Sequence, residues 1–174
     1  MARDPSHPRD RPGDFWDQRY GGENPVFGHE PNQWLAANAD LLKPGMTALL
    51  PGDGEGRNGV WLAERGLTVT SVDASPVGVE KSQHLAAARG VSINAETADL
   101  RDWDAPEAAF DLVVLAFLHV GPDDRTELHR KLALTLKPGG LLLLEGFTPD
   151  HLGYGKGGPP DTGMMFTEDR LRDD

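Results

Sequence analysis

The chain has 174 residues, a formal net charge of −11 and no cysteine. This length suits one domain with a sizeable core, and the missing cysteine excludes disulfides, thiolate metal sites and a cysteine nucleophile. Because the negative charge repels phosphate backbones and anionic lipids, and no apolar run approaches membrane length, we expect a cytoplasmic protein that binds a small molecule rather than nucleic acid or a membrane.

The first features in chain order are an arm and a helix. Residues 1–14, MARDPSHPRDRPGD, are rich in charge and proline, which is typical of a disordered arm. Residues 15–174 are expected to form a single domain. A largely apolar stripe that includes Trp34 and Leu35 predicts a helix over 31–42, and the KPG that follows ends it.

Strands and helices alternate from residue 47 onward. Ser75 is expected to cap the second of these helices, with Pro76 at its first position. The alternation predicts an α/β fold with a doubly wound parallel sheet, whose ligands bind at the carboxyl ends of the strands. The predicted strands are 47–50, 67–73, 91–96, 111–117 and 141–146, and the predicted helices are 57–65, 76–88 and 123–136.

A glycine-rich loop, LLPGDGEGRNG, follows the first predicted strand. Its pattern has two registers. Glycines at 52, 54 and 56 are typical of a loop that holds a nucleoside cofactor at a strand end, whereas glycines at 54, 56 and 59 match the dinucleotide fingerprint. The loop alone therefore leaves open whether the chain transfers methyl groups or hydrides.

Polar side chains follow three other predicted strands. Asp73 lies about 20 residues after the glycines, where an acidic residue binds ribose hydroxyls in either register. Asp99 is placed to accept a hydrogen bond from an adenine amino group, and His119 is a candidate proton acceptor for catalysis. A solvated turn residue is the alternative interpretation of Asp99, and a histidine that only hydrogen-bonds its loop is that of His119.

The glycine-rich segment 146–163 follows the last predicted strand and predicts a mobile lid or substrate loop. His151 and Tyr154 in this segment are further candidates for the base, and His29 and His151 keep a candidate role at an acceptor site. The six histidines lack the spacing of metal ligands, so no metal site is expected.

These motifs resemble those of class I S-adenosylmethionine-dependent methyltransferases. The matching pieces are TALLPGDGEGRNG, VTSVDAS, ETADL, FDLVVLAF and LKPGGLLLLE, in the family's order over about residues 44–146. LKPGG before an apolar strand is the most discriminating piece, since the dinucleotide fold does not require it. The pieces GEGRN with VWLAERG, FWDQRY and GGPP give a narrower similarity to small bacterial methyltransferases grouped with tellurite-resistance and thiopurine methyltransferases. Members of that branch act on small soft nucleophiles or are uncharacterised.

The resemblance implies a Rossmann-like sheet and methyl transfer from S-adenosyl-L-methionine to a small-molecule acceptor by in-line displacement, with S-adenosyl-L-homocysteine as the product. Leu50 departs from the family, because many members have an acidic residue there, and Asp53 or Glu55 is expected to substitute for it. Carried over by position, the cofactor-binding residues are Arg19, Tyr20, Gly52, Asp53, Gly54, Glu55, Gly56, Asn58, Asp73, Ala74, Ser75, Asp99, Leu100, Leu115, Ala116 and Phe117.

The family's sheet normally ends with a hairpin of strands six and seven, which this sequence lacks. We therefore expect strand 141–146 to be an exposed apolar edge, explained either by a shortened chain or by a homodimer that covers it. Two other functions remain open on the sequence. One is a non-catalytic module that binds S-adenosylmethionine, and the other is an NAD-dependent oxidoreductase that uses the second glycine register.

Overall fold

A computed structural model describes residues 12–155 and 157–174, so most of the predicted arm lies outside the described residues. Helix α1 (Pro12–Tyr20) begins inside the stretch that was predicted to be disordered. Tertiary packing accounts for the helix at these positions. Tyr20 is buried, and a side chain at Gly13 would collide with the carbonyl oxygen of Ala74. The sequence shows the local charge and proline of this stretch but not these long-range contacts.

The five strands form one parallel sheet in the order β3-β2-β1-β4-β5, which confirms the predicted doubly wound topology. The chain reverses its direction of winding between β1 and β4, so a topological switch point lies at their carboxyl ends. The strands are β1 (Thr47–Pro51), β2 (Thr68–Asp73), β3 (Asn94–Thr97), β4 (Phe110–Ala116) and β5 (Leu136–Glu145).

The helices follow the strands as expected, with one exception. The predicted helix over 31–42 is divided, because the side-chain amide of Asn38 donates to the carbonyl of Trp34 (2.8 Å) where the α-helix stops. The remaining helices are α2 (Gln33–Ala37), α3 (Arg57–Glu64), α4 (Pro76–Ala88), α5 (Pro122–Leu134) and α6 (Glu168–Asp173), with 3₁₀ turns at Ala39–Leu41, Pro149–Tyr154 and Thr162–Met164.

Two apolar layers hold the sheet between the helices. On one face Leu50 and Leu112 pack against Leu62 of α3, and all three side chains are almost completely buried. On the other face Leu49 packs with Leu132 of α5. Neighbouring residues of one strand therefore serve opposite layers, as expected for a strand buried on both faces. Within the described residues, none of the helices is long and apolar enough to cross a membrane.

Strand β5 begins earlier than predicted. Phe110 of β4 pairs with Leu136, but Leu112 pairs with Leu141, so the KPG of LKPGG forms a bulge rather than a plain helix stop. Gly139 in this bulge has a φ of 81°, which glycine adopts without strain. No strand pairs with the outer edge of β5 within residues 12–155 and 157–174.

Candidate functional site

The glycine-rich loop between β1 and α3 lies at the switch point. Gly52, Gly54 and Gly56 all have positive φ angles, of 68°, 57° and 85°. At Gly54 a second constraint applies, because a Cβ atom there would lie only 2.4 Å from the hydroxyl oxygen of Tyr20. A Cβ atom at Gly52 would lie 2.9 Å from Leu118 and one at Gly56 2.5 Å from Ser82, so all three glycines let the loop pack closely against neighbouring side chains.

Asp73 stands beside this loop at the end of β2, as predicted. Its carboxylate accepts hydrogen bonds from the backbone N–H of Gly54 (2.8 Å) and of Ser75 (2.9 Å). Burial raises the pKa of this carboxyl, and the two N–H bonds partly oppose the rise. Ser75 caps α4 as expected, because its hydroxyl oxygen accepts from Gly78 N–H (2.9 Å).

The carboxylate of Asp53 explains why glycine is required at position 59, the third glycine of the dinucleotide pattern. Its Oδ2 accepts from the backbone N–H of Gly59 in the first turn of α3 (3.1 Å), and a Cβ atom at Gly59 would lie 2.4 Å from that oxygen. Gly59 also lies close to Val69 of β2, so it permits the helix to approach both the carboxyl and the sheet. Asp53 Oδ1 is buried without a hydrogen-bond partner among the described residues, and burial raises the pKa of Asp53 to about 8.

Two predicted cofactor residues of this loop are occupied by other partners. Glu55 accepts from Lys81 Nζ (2.9 Å) and from the backbone N–H of Val26 (2.7 Å), so each carboxylate oxygen already has a donor. Asn58 accepts from the backbone N–H of Asn32 (2.8 Å). In this structure both side chains connect the loop to neighbouring segments, and their role as direct cofactor ligands stays a prediction.

Helix α1 lies over the site. The ring of Tyr20 is buried against Gly54 and Gly78, and burial raises its pKa well above the usual range. Arg19, the other residue expected to close the pocket, is exposed and its guanidinium lies over the rings of Trp16 and Phe27. The structure therefore brings Tyr20, but not the charged group of Arg19, onto the glycine-rich loop.

The loop after β3 reaches the same edge of the sheet. Ala98 N–H donates to the carbonyl of Asp73 (2.9 Å), which places Asp99 beside the ribose-binding candidate. The carboxylate of Asp99 accepts from Arg101 Nε (2.9 Å) and Nη2 (2.6 Å). Leu100 is buried in the core layer that faces α5. Arg101 thus binds the carboxylate that was expected to receive the adenine amino group.

The residues predicted to form the floor of the site lie at the end of β4. Leu115 is buried in the layer that faces α5, and Ala116 packs against the other layer. Phe117 has a φ of 56°, a left-handed conformation that is unusual for a bulky residue. Its N–H donates to the carbonyl of Glu145 (2.8 Å) and its ring lies 4.9 Å from that of Phe147. Strained backbone of this kind is concentrated at functional sites.

His119 does not have the geometry of a general base. Its Nδ1 lies 2.8 Å from the carbonyl oxygen of Met164, and its Nε2 accepts from the backbone N–H of Phe147 (3.0 Å). These partners define a neutral ring protonated on Nδ1, and burial lowers the pKa of His119. Since both ring nitrogens are engaged, His119 joins the loop after β4 to the C-terminal segment, which was the alternative interpretation of this residue.

The predicted lid, 146–163, contains both anchored and exposed parts. Its start is held by the ring of Phe147, which lies 5.5 Å from that of His119, and Tyr154 is 79% exposed. His151 lies 3.1 Å from the carbonyl oxygen of Gly157. Mobility of this segment, and a role for His151 or Tyr154 as a base, stay predictions.

Sequence analysis missed four polar residues of this region. Asp17 of α1 accepts from the hydroxyl of Ser75 (2.5 Å) and so ties α1 to the loop after β2. Asn32 donates from its side-chain amide to Glu145 at the end of β5 (2.5 Å). The fourth of these residues is Arg101, which donates to the carboxylate of Asp99. The sequence carries no signal for Asp17, Asn32 or Glu145, because their partners are 58 and 113 residues away along the chain.

Glycines at a switch point, with an acidic residue at the end of the next strand, define a domain that binds a nucleoside cofactor. The sequence profile of the methyltransferase domain matches residues 49–140, more than half of the chain. The chain therefore belongs to the methyltransferase-domain family.

Solved structures agree with this assignment. An S-adenosylmethionine-dependent methyltransferase from Mesorhizobium loti is 27% identical, with a TM-score of 0.59 over 68% of this chain and 54% of that one. A protein solved in work on the conversion of a disulfide bond into a thioacetal group during echinomycin biosynthesis is 25% identical, with a TM-score of 0.73 over 92% of this chain and 76% of that one. A Thiobacillus denitrificans methyltransferase in complex with S-adenosyl-L-homocysteine is 21% identical and shares the fold, with a TM-score of 0.54 over 67% and 49% of the two chains. This chain spans about half the length of the first and the third of these proteins.

Proposed function

We propose that this chain transfers a methyl group from S-adenosyl-L-methionine to a small-molecule acceptor. The observation that carries the proposal is the contact of Asp73 with the glycine-rich loop, in which one carboxylate oxygen holds Gly54 and the other holds Ser75. Family membership and the similarity to the methyltransferase from Mesorhizobium loti support it.

The residues present fit this cofactor. The left-handed glycines fix the course of the loop at the carboxyl end of β1, where the methionine part of the cofactor would lie. Asp73 uses one lone pair of each carboxylate oxygen for the backbone, which leaves the others to accept the ribose hydroxyls. The backbone of Asp99 and Leu100 adjoins the adenine side. When bound, the cofactor supplies a methyl group already activated on a sulfonium.

The protein's task is then to align the acceptor with the methyl carbon and to exclude water. Tyr20 covers the glycine-rich loop, and the left-handed Phe117 shapes the end of β4. A dedicated base is required only for an acceptor that is protonated at the working pH. This arrangement favours direct in-line displacement without a covalent enzyme intermediate.

Calorimetric titration tests the cofactor. We expect saturable binding of S-adenosyl-L-homocysteine and no comparable binding of NAD. The Asp73→Ala variant should bind S-adenosyl-L-homocysteine at least about tenfold more weakly than the wild type does. Binding of NAD in preference to S-adenosyl-L-homocysteine would overturn the proposal and favour an oxidoreductase.

A methylation panel tests catalysis. Thiols, amines and oxyanions offered with S-adenosyl-L-methionine should yield one methylated class. The similarity to the tellurite-resistance and thiopurine branch stays a prediction, and it implies a thiol or another soft nucleophile. Tight binding of the cofactor with no methylated product across the panel would favour a module that binds without catalysis.

A further inference from the structure

A cleft of about 380 Å³ opens at the carboxyl end of β5. Its walls are largely apolar and include Trp34 on one side and Phe166 and Leu171 on the other. The two charged side chains that line it, Glu145 and Glu168, are both acidic. A cleft of this size suits a small organic molecule.

The two carboxylates differ in their partners. Glu168 lies 2.5 Å from Arg172 on the exposed side of α6, where the pair neutralises itself. Glu145 is half-buried, and its hydrogen-bond donor is the neutral amide of Asn32 at 2.5 Å. No cationic side chain pairs with Glu145 in the part of the chain that the structure describes. A half-buried carboxylate without a cation favours a positively charged ligand group.

The cleft adjoins the proposed cofactor loop. Asn32 binds Glu145 through its side chain and Asn58 through its backbone N–H, and Asn58 lies two residues after Gly56. The carbonyl of Glu145 also accepts from Phe117 N–H (2.8 Å) at the end of β4. One side chain, Asn32, therefore separates the carboxylate of Glu145 from the start of α3.

We propose that this cleft binds the methyl acceptor and that the acceptor is an amine carried on an apolar body, an inference that rests on the proposed function. Glu145 attracts the ammonium group by a charge-assisted hydrogen bond. The indole of Trp34, which is 39% exposed, offers an aromatic face to the cation, and Phe166 and Leu171 contact the apolar part.

Methylation of such an acceptor begins when the bound ammonium loses a proton to water, which frees the nitrogen lone pair and leaves Glu145 ionised. That pair forms the N–C bond to the methyl carbon while the C–S bond breaks and its electron pair remains on sulfur. The product is a methylated ammonium, whose positive charge Glu145 again stabilises.

Calorimetry with chosen probes tests the inference without relying on turnover. Phenethylamine, phenethyl alcohol and hydrocinnamate share an aromatic body but carry a cation, a neutral group and an anion. With the protein saturated by S-adenosyl-L-homocysteine, we expect phenethylamine to bind roughly tenfold more tightly than either of the others. Glu145→Gln keeps an acceptor for Asn32 and should remove this preference. Glu80→Gln, an exposed site on α4, should retain it.

The outcomes separate the two proposals. If S-adenosyl-L-homocysteine does not bind, the proposed function fails. If it binds but the three probes bind equally, or if Glu145→Gln keeps the preference for the amine, the acceptor inference alone is overturned. It is also overturned if only thiols are methylated.

Discussion

Asp53 is a buried carboxyl whose ionisation opposes folding. In the unfolded chain it ionises with a pKa near 3.8, whereas burial raises the folded pKa to about 8. The contribution of the neutral carboxyl to the free energy of unfolding is therefore fully present below about pH 4, decreases as the pH rises, and is lost above about pH 8. Asp53→Asn keeps an acceptor for Gly59 but cannot ionise. Between pH 5 and pH 8 the variant should lose less stability than wild type, by at least about 1 kcal/mol.

Urea unfolding at several pH values measures this difference. Asp104→Asn, at an exposed site, is the matched control and should follow the wild-type curve. A parallel loss of stability in wild type and Asp53→Asn would show that Asp53 is already ionised in the folded protein.

His119 is expected to contribute to stability rather than to proton transfer. His119→Ala removes hydrogen bonds to Met164 and Phe147 and leaves the ring of Phe166 without its stacked neighbour, 4.7 Å away. The loss should be roughly 2 kcal/mol in urea unfolding. At temperatures where the variant is folded, turnover should fall less than tenfold, and its pH profile should keep the wild-type shape. Loss of the acidic limb, the fall in activity at low pH, would restore His119 as a base.

At the scale of single elements, Asp17 is the contact that should hold α1 over the site. Asp17→Ala removes the acceptor for Ser75 Oγ and for Val77 N–H (3.2 Å). Hydrogen exchange should become faster at Tyr20 and along α1, corresponding to a loss of about 1–2 kcal/mol of local stability. Gln18→Ala, on the exposed side of the same helix, should leave exchange unchanged. Equal exchange in Asp17→Ala and wild type would show that α1 is held by its apolar contacts alone.

The elements differ in how far the sequence predicts them. Strands β1 and β4 were predicted because their residues are mostly apolar, and β2 because apolar and polar residues alternate along it. Ser75 and Pro76 mark the start of α4 by local chemistry. Helix α1 was not predicted, since contacts with residues far along the chain stabilise it. The bulge in LKPGG was also missed, because a bulge depends on pairing with β4 and not on local propensity.

The candidate site likewise has features that the sequence predicts and features that it does not. Asp73 and the left-handed glycines were predicted because a ligand-binding loop has a fixed spacing from the next strand end. The side-chain partners of Glu55, Asn58, Asp99 and His119 depend on how segments distant in the sequence pack together, and a motif gives no information on them. Asn32 and Glu145 form their hydrogen bond across 113 residues, which explains why neither was a candidate.

At the scale of the whole molecule, the outer edge of β5 is a proposed surface for self-association. Leu142 on this strand is 46% exposed, and apolar edges promote pairing between chains. Leu142→Lys should reduce any dimer seen by light scattering, whereas Leu134→Lys, at a 62% exposed site outside the sheet, should not. A wild-type protein that is monomeric at all concentrations tested would contradict self-association.

Transfer of an isotopically labelled methyl group from S-adenosyl-L-methionine, followed by mass spectrometry over the acceptor panel, tests the central claim most directly. We expect the label in one acceptor class and S-adenosyl-L-homocysteine in equal amount. Both products should decrease strongly in Asp73→Ala. No labelled product with any acceptor, together with binding of NAD in preference to S-adenosyl-L-homocysteine, would contradict it.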